Sequence, residues 1–214
     1  MSDASPKKTP FYDQLTPDNC AVLLIDHQAG LFLGVHSIDQ QVLKANAIAL
    51  AKTAKVFDLP VVLTTSSRNG PNGPTIPELV ELFPDHEIYD RSPINLWNDE
   101  RTRRAIEQTG RKKLIMAAIT TDVCLAFPAL SAIAAGYDVY AVIDASGTWS
   151  PQAELATMLR LTQAGVIPTN WVAVAAELKY SEDREKTAAM NAVFGEHMGL
   201  YTFLGSIASF KAGR

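Results

Sequence analysis

KLIMAAITTDVCLAFPALSAIAAGYDVYAVID, residues 113–144, is the stretch whose reading decides the fold. It opens on an apolar run, Lys113–Ile119, and passes through the polar step Thr120, Thr121, Asp122. It continues as a helix over Asp122–Ala135, stops at Gly136, and resumes as a second apolar run, Tyr137–Asp144. Short continuous apolar runs mark strands covered on both faces, as in parallel sheets. A glycine just past the last helical residue accepts the left-handed φ that ends a helix. Strand, helix and strand in this order make a βαβ unit.

The same alternation extends in both directions. Upstream, Cys20–Asp26 (CAVLLID) is a buried strand ending in an acid, and residues 40–57 carry Val42, Ala45, Ile48, Ala49 and Val56 at helical spacing. Pro60–Thr65 (PVVLTT) is a second strand. Residues 66–99, rich in Gly, Pro, Asn and Asp, read as a long loop, and loops of that length in a compact domain are usually functional. Residues 100–109 read as a helix closed by Gly110. Downstream come a helix over Pro151–Ala164, a short strand over Val166–Thr169, and helices over 171–178 and 182–198. The pattern predicts an α/β domain of three layers, α/β/α and Rossmann-like, around a mainly parallel central sheet of about six strands. Residues 1–19, with Pro6, Pro10 and Pro17, read as a loose arm, and 20–214 as one domain.

Composition narrows the function classes. With 214 residues the chain suits one domain with a sizeable core. Its 47% hydrophobic and 20% charged residues argue against disorder. The net charge of -4 and the lack of a basic cluster argue against nucleic acid as a partner. No run approaches the roughly 20 apolar residues of a membrane span, so no membrane partner is expected. The polar N-terminus and only two cysteines, Cys20 and Cys124, point to a reducing cytoplasm with both thiols free. Neither GxGxxG nor GxxxxGK[ST] is present, which removes the main support for a dinucleotide or nucleotide cofactor.

Ligands of parallel α/β sheets bind beyond the carboxyl ends of the strands. That rule selects Asp26, then Ser66 and Ser67, then Thr120, Thr121, Asp122 and Cys124, then Asp144, Ser146 and Thr148. Cys124 stands in the first turn of a helix, where free N–H groups lower a thiol pKa and can receive an oxyanion. Position alone leaves Cys124 open between nucleophile and small buried hydrophobe. Asp26 is open between turn cap and general base, and Arg91 between solvated loop residue and anion holder. Cys20 reads as packing.

Three sets of residues carry a resemblance. AVLLIDHQ is similar to a first-strand motif of apolar residues followed by D-x-Q. IMAAITTDVCLAFPALSAIAAGYDVYAVIDASG resembles a nucleophile block with T-x-x-C and G-Y-x-V-x-V-x-D-A. NGPNGP, ELFPD and R-x-x-x-N-x-W match the intervening loop. Together they resemble the YcaC-like branch of the isochorismatase-like cysteine hydrolases over about residues 12 to 180. The resemblance implies Asp26 as catalytic acid/base, Cys124 as nucleophile, and Arg91 where the family usually has Lys. It also implies a cis Ile119–Thr120 peptide, with the Thr120 and Cys124 amides as the oxyanion hole. The Asp/His metal cluster of nicotinamidases has no counterpart in TTSSRNGPNGP, so no metal and no cofactor is expected.

The reaction these residues favour is hydrolysis of an amide-like C–N bond of a small-molecule substrate through an acyl-enzyme. Phe32, Asn95, Trp97, Phe127 and Trp149 are candidate pocket residues. The rivals are a thiol redox or peroxide-sensing protein using Cys124, and a non-catalytic oligomeric binding module. A homo-oligomer is expected, because the polar arm and the apolar segment GLYTFLGSIASF have no place on a single domain. The resemblance implies an octamer.

Overall fold

The computed structural model describes residues 13–178 and 183–212. In chain order the elements are β1 (Cys20–Ile25), α1 (Ala29–Phe32), α2 (Gln40–Val56), β2 (Val61–Ser66), α3 (Pro77–Leu82) and β3 (Ile88–Arg91). They continue with a 3-10 turn over Leu96–Asn98, α4 (Glu100–Gln108), β4 (Lys113–Ala118), a π-helical turn over Thr121–Leu125, α5 (Ala126–Ala134) and β5 (Asp138–Val142). A second 3-10 turn (Ile143–Ala145) precedes α6 (Pro151–Gln163), β6 (Ile167–Thr169), α7 (Trp171–Leu178), α8 (Arg184–His197) and α9 (Gly199–Ala212).

The six strands form one sheet in the order β3-β2-β1-β4-β5-β6, and every neighbouring pair is parallel. The chain runs outward one way through β1, β2 and β3, then returns to the middle and runs outward the other way from β4. The point of reversal lies between β1 and β4, where the ends of these strands open a crevice. Residues alternate between the two faces of β1. Cys20, Val22 and Leu24 join a core with α2, α7 and α8, while Ala21, Leu23 and Ile25 join one with α4, α5 and α6. All six residues of β1 and of β4 are buried, the mark of central strands sandwiched by helices.

Two elements differ from the expected long loop at 66–99. Within it α3 starts on Pro77 at the head of the helix with Glu78 in the first turn, a recognised opening signal. β3 is an edge strand of four residues, IYDR, of which only the last is buried. An edge strand has one paired side and needs no apolar run, so hydrophobic patterning gives it no voice. The expected helix over Asp122–Ala135 begins instead as a π turn, and its first five residues from Thr121 carry Cys124. The described part of the arm is not loose: Leu15 is buried, Lys113 Nζ donates to the Asp13 and Gln14 carbonyls, and Leu15 N–H donates to Glu177. Residues 1–12 of that arm, and residue 182 of the expected last helix, lie outside the described residues.

The turn after β1 holds a buried histidine. His27 packs against Phe32, with ring centroids 6.3 Å apart, and its Nε2 lies 2.9 Å from the Ala145 carbonyl. Nε2 therefore carries the proton, and the buried Nδ1 has no partner among the described residues. Burial pushes His27 down from 6.5 to about 4. A histidine held neutral in the fold stabilises it fully above 6.5, and that contribution is lost as pH falls through the folded value. The window from 6.5 to about 4 corresponds to about 3 kcal/mol. We expect wild type to lose about that much stability relative to His27→Gln across this window, read from urea midpoints at each pH. Parallel curves for the two proteins would refute it.

Candidate active site

Asp26 follows β1 directly and breaks the strand with a φ of 57°. An Asp in the left-handed region costs on the order of 1–3 kcal/mol, and such residues persist where the surroundings fix them. Here the break has a geometric result. Plain alternation would send Asp26 to the face of Leu24. Instead its carboxylate meets Thr64 and Arg91, which alternation along β2 and pairing with β3 place on the opposite face. Asp26 N–H still donates to the Thr64 carbonyl at 3.1 Å, so the ladder holds as the side chain turns.

Arg91 is the last residue of β3 rather than a loop residue, and its side chain is fully buried. Its Nη2 donates to Asp26 Oδ2 at 2.5 Å, and its Nη1 donates to the carbonyls of Pro93 and Ile94 at 2.5 and 2.8 Å. Register explains the reach: Arg91 pairs with Ser66 on β2, next to the strand that leads to Asp26. The guanidinium is thus committed to one carboxylate and two backbone oxygens, which matches its planar fork.

Cys124 comes from the other side of the reversal point. β4 ends at Ala118, the Ile119–Thr120 peptide is cis as the resemblance implied, and the π turn follows. Backbone bonds from Thr121 N–H to the Gly147 carbonyl, and from Gly147 N–H to Ala118, stitch this turn to the loop after β5. Asp122 joins the same stitch by accepting from the Thr148 hydroxyl at 2.6 Å. The Asp26 carboxylate lies within electrostatic reach of the Cys124 thiol, and the Thr120 backbone acts on the same sulfur. Asp26, Arg91 and Cys124 therefore form one cluster, and Thr120 adjoins it.

The electrostatics overturn one expectation. A helix start was expected to lower the thiol pKa. Burial first, and the Asp26 charge second, push the Cys124 thiol up to about 12, against the smaller pull of the Thr120 N–H and Arg91. Burial likewise raises Asp26 above the ordinary carboxylate value, outweighing the Arg91 charge and the Thr64 hydrogen bond. The thiol is therefore protonated at neutral pH, beside a carboxylate of raised basicity. Burial and the neighbouring carboxylate charge thus favour the thiol over a standing thiolate. Cys20 is fully buried at the amino end of β1, and burial holds its thiol at about 12.

The pocket candidates scatter. Phe32 is buried beside His27. Phe127 stands half-buried at the start of α5, three residues beyond Cys124. Trp149 is 48% exposed and covers Gly34, where an added Cβ would lie 2.1 Å from its ring. Asn95 caps the 3-10 turn by accepting from Trp97 N–H and donates to Ser131 at 3.0 Å. Trp97 packs edge-to-face on Tyr137, the residue before β5, at the amino end of the sheet and away from the cluster. Gln28, the last residue of the D-x-Q motif, has a role that the motif did not assign. Its side chain donates to the Ser66 and Gly73 carbonyls and accepts from Ser66 N–H, pinning the 66–73 loop to the turn after Asp26. Among the described residues no three His, Cys, Asp or Glu side chains are grouped to hold a metal ion.

Removing Arg91 leaves a buried carboxylate without its counter-charge. Arg91→Ala should lower stability by about 3–5 kcal/mol and raise the thiol pKa further, slowing alkylation of Cys124. Arg91→Lys should fall between the two proteins, since the charge remains and the fork is lost. Urea unfolding and pH-dependent alkylation read both effects. Wild-type behaviour of Arg91→Ala in both would show that the ion pair has no role at Cys124.

Comparison with known proteins places the chain in a family. Residues 20–172 match the Isochorismatase domain. The chain is 44% identical over 194 residues to the probable hydrolase YcaC of Escherichia coli, covering 90% of this chain and 93% of that protein. The structure of E. coli YcaC, described as an octameric hydrolase of unknown specificity, superposes with a TM-score of 0.89 at 42% identity, covering 95% of this chain and 98% of that one. YcaC from Pseudomonas aeruginosa, solved with hexane-2,5-diol and covalent acrylamide, gives 0.88 at 43% identity, covering 94% and 98%. Nicotinamidase PncA from Bacillus subtilis shares the fold at a TM-score of 0.61 and 11% identity, covering 71% of this chain and 99% of that one. By sequence and by architecture, the chain belongs to the isochorismatase-like hydrolases.

Proposed function

We propose that the protein hydrolyses an amide-like C–N bond of a small molecule through a covalent acyl-enzyme on Cys124. The observation that carries the reading is the Cys124 thiol beside the buried Asp26 carboxylate, itself held by Arg91, at the reversal point of the sheet. In the first half-reaction Sγ attacks the carbonyl carbon while Asp26 takes the thiol proton. The oxygen becomes an oxyanion received by the Thr120 and Cys124 N–H groups. Asp26 then gives its proton to the leaving nitrogen, the C–N bond breaks, and a thioester and an amine result. In the second half Asp26 takes a proton from water, the hydroxide adds to the thioester, and the C–S bond breaks. The proton returns to sulfur and the carboxylic acid leaves. Arg91 is too basic to move protons, and its charge favours the carboxylate's anionic form against burial. Phe32, Phe127 and Trp149 are the candidates left to line the substrate's approach.

A peroxide-sensing role fits less well. Such sensors need an accessible thiolate and a resolving thiol. Cys124 is protonated, and Cys20 lies at the opposite end of the sheet, beyond reach by about the length of a strand. Covalent acrylamide in the P. aeruginosa relative makes acrylamide a suitable probe. Wild type should take one acrylamide at Cys124 by peptide mass spectrometry and turn over at least one member of a panel of small amides and ureas. Cys124→Ala should do neither. Label on Cys20 with Cys124 untouched would sink the reading.

The same reading includes self-association, as in octameric E. coli YcaC. α9 exposes Leu200, Phe203, Leu204 and Ile207 at helical spacing, and α6 exposes Leu155 and Leu159. Apolar stripes of this kind are covered in stable proteins. Light scattering should give a closed assembly well above the chain mass of 23.2 kDa. A monomer would count against it, and so would Leu200→Glu with Leu204→Glu leaving the mass unchanged.

A further inference from the structure

Asp26 is held by more than its counter-ion. Arg91 occupies Oδ2, and the Thr64 hydroxyl donates to Oδ1 at 2.8 Å. Thr64 also accepts the Asp26 N–H on its backbone carbonyl, so one residue grips Asp26 at both the main chain and the side chain. Thr64 is 1% exposed. Its place is fixed by pairing with Ile25, the residue before Asp26, in the register of β1 and β2. The carboxylate therefore has one fixed donor on each oxygen, with the thiol of Cys124 in its immediate electrostatic surroundings. Without the donor on Oδ1, the carboxylate could rotate about its bond to Cβ while keeping contact with Arg91.

We propose that Thr64 is a positioning residue for the general base: its hydroxyl holds the Asp26 carboxylate at the angle that presents a lone pair to Cys124 Sγ. This rests on the acyl-enzyme reading above. Because the hydroxyl donates to the anionic form, it also sets the pH at which the base becomes available. The next residue supplies a built-in comparison. Thr65, on the opposite face of β2, donates to Asp90 Oδ1 at 2.9 Å, and Asp90 pairs with Arg68 on the surface. The two threonines do the same chemistry for two carboxylates, and only one of these carboxylates faces the thiol.

The test is the rate of acrylamide addition to Cys124, followed by peptide mass spectrometry from about pH 5 to 9, where base-assisted attack shows an acid limb. Thr64→Val, nearly the same shape without the hydroxyl, should move that limb up by about one pH unit and lower the plateau severalfold. Thr64→Ser should restore both, and Thr65→Val should leave both unchanged. A Thr64→Val profile that overlays wild type overturns the role of Thr64 alone, as does a Thr65→Val profile displaced as far as that of Thr64→Val. If Thr64→Val does not fold, Thr64→Ala and Thr64→Ser decide: superimposed limbs overturn the proposal, and separated limbs support it. A wild type that takes no label at Cys124 at any pH overturns the acyl-enzyme mechanism and the role of Thr64 with it.

Discussion

The buried ion pair of Asp26 and Arg91 is the constraint to which the surrounding structure answers. Two opposite charges with no exposed side-chain surface cost several kcal/mol each to strip of water, and their attraction repays this only with good geometry and further hydrogen bonds. The molecule supplies both. The left-handed turn at Asp26 swings the carboxylate to the face where β3 brings its last residue. The chain after β3 folds back so that the Pro93 and Ile94 carbonyls accept from the guanidinium. β3 has little core of its own, and its place at the sheet edge is paired along β2 from Leu63 to Ser66. That pairing sets the height at which Arg91 meets Asp26.

The thiol depends on this pair. A lone buried carboxylate would take up a proton and cease to be a base. A lone buried guanidinium beside sulfur would favour a standing thiolate. With both present, the Arg91 charge pulls the carboxylate towards its charged form against burial, and the Asp26 charge helps hold the proton on the thiol. Sequence reasoning expected activation by the helix start, because the position of Cys124 after Thr120–Asp122 is legible and its dryness is not. Burial is a property of everything packed around a residue, and here it outweighs the local backbone field.

Legibility elsewhere follows the same rule. β1, β2, β4 and β5 lie in the middle of the sheet and are written as apolar runs; their ends fall within a residue or two of expectation. α2 and α6 form as expected and are capped by Asp39 and Ser150, which accept from first-turn N–H groups. However, α2 buries Leu43, Ala47, Leu50, Ala51 and Ala54 rather than the expected stripe through Val42, Ala45 and Ile48, of which Val42 is 48% exposed. β3 was missed because an edge strand with Asp90 and Arg91 resembles loop, although Arg91 itself was found through family resemblance. Trp97 was placed near the site because its neighbours in sequence are, whereas the 3-10 turn capped by Asn95 carries its ring to Tyr137 at the far end of the strands. Asp26 and Cys124 were legible from the rule that sites gather at carboxyl ends of strands. Gln28 was legible only as the last letter of the first-strand motif, and Thr64 not at all, because their importance lies in partners 38 positions away along the chain.

The π turn at Thr121–Leu125 makes the address of the sulfur a question of counting. Such a turn holds about one residue more than an ordinary helical turn. Shortening the segment by one residue would let the helix run on from its first carbonyl in regular geometry, with every side chain chemically intact. It would also rotate position 124 by roughly a quarter turn about the axis, since successive helical residues are about 100° apart. The Cys124 side chain would then look past Asp26 into the wall of the crevice. The direction of this side chain is thus encoded partly as length: an insertion that a stability screen would discard is the one that aims the sulfur.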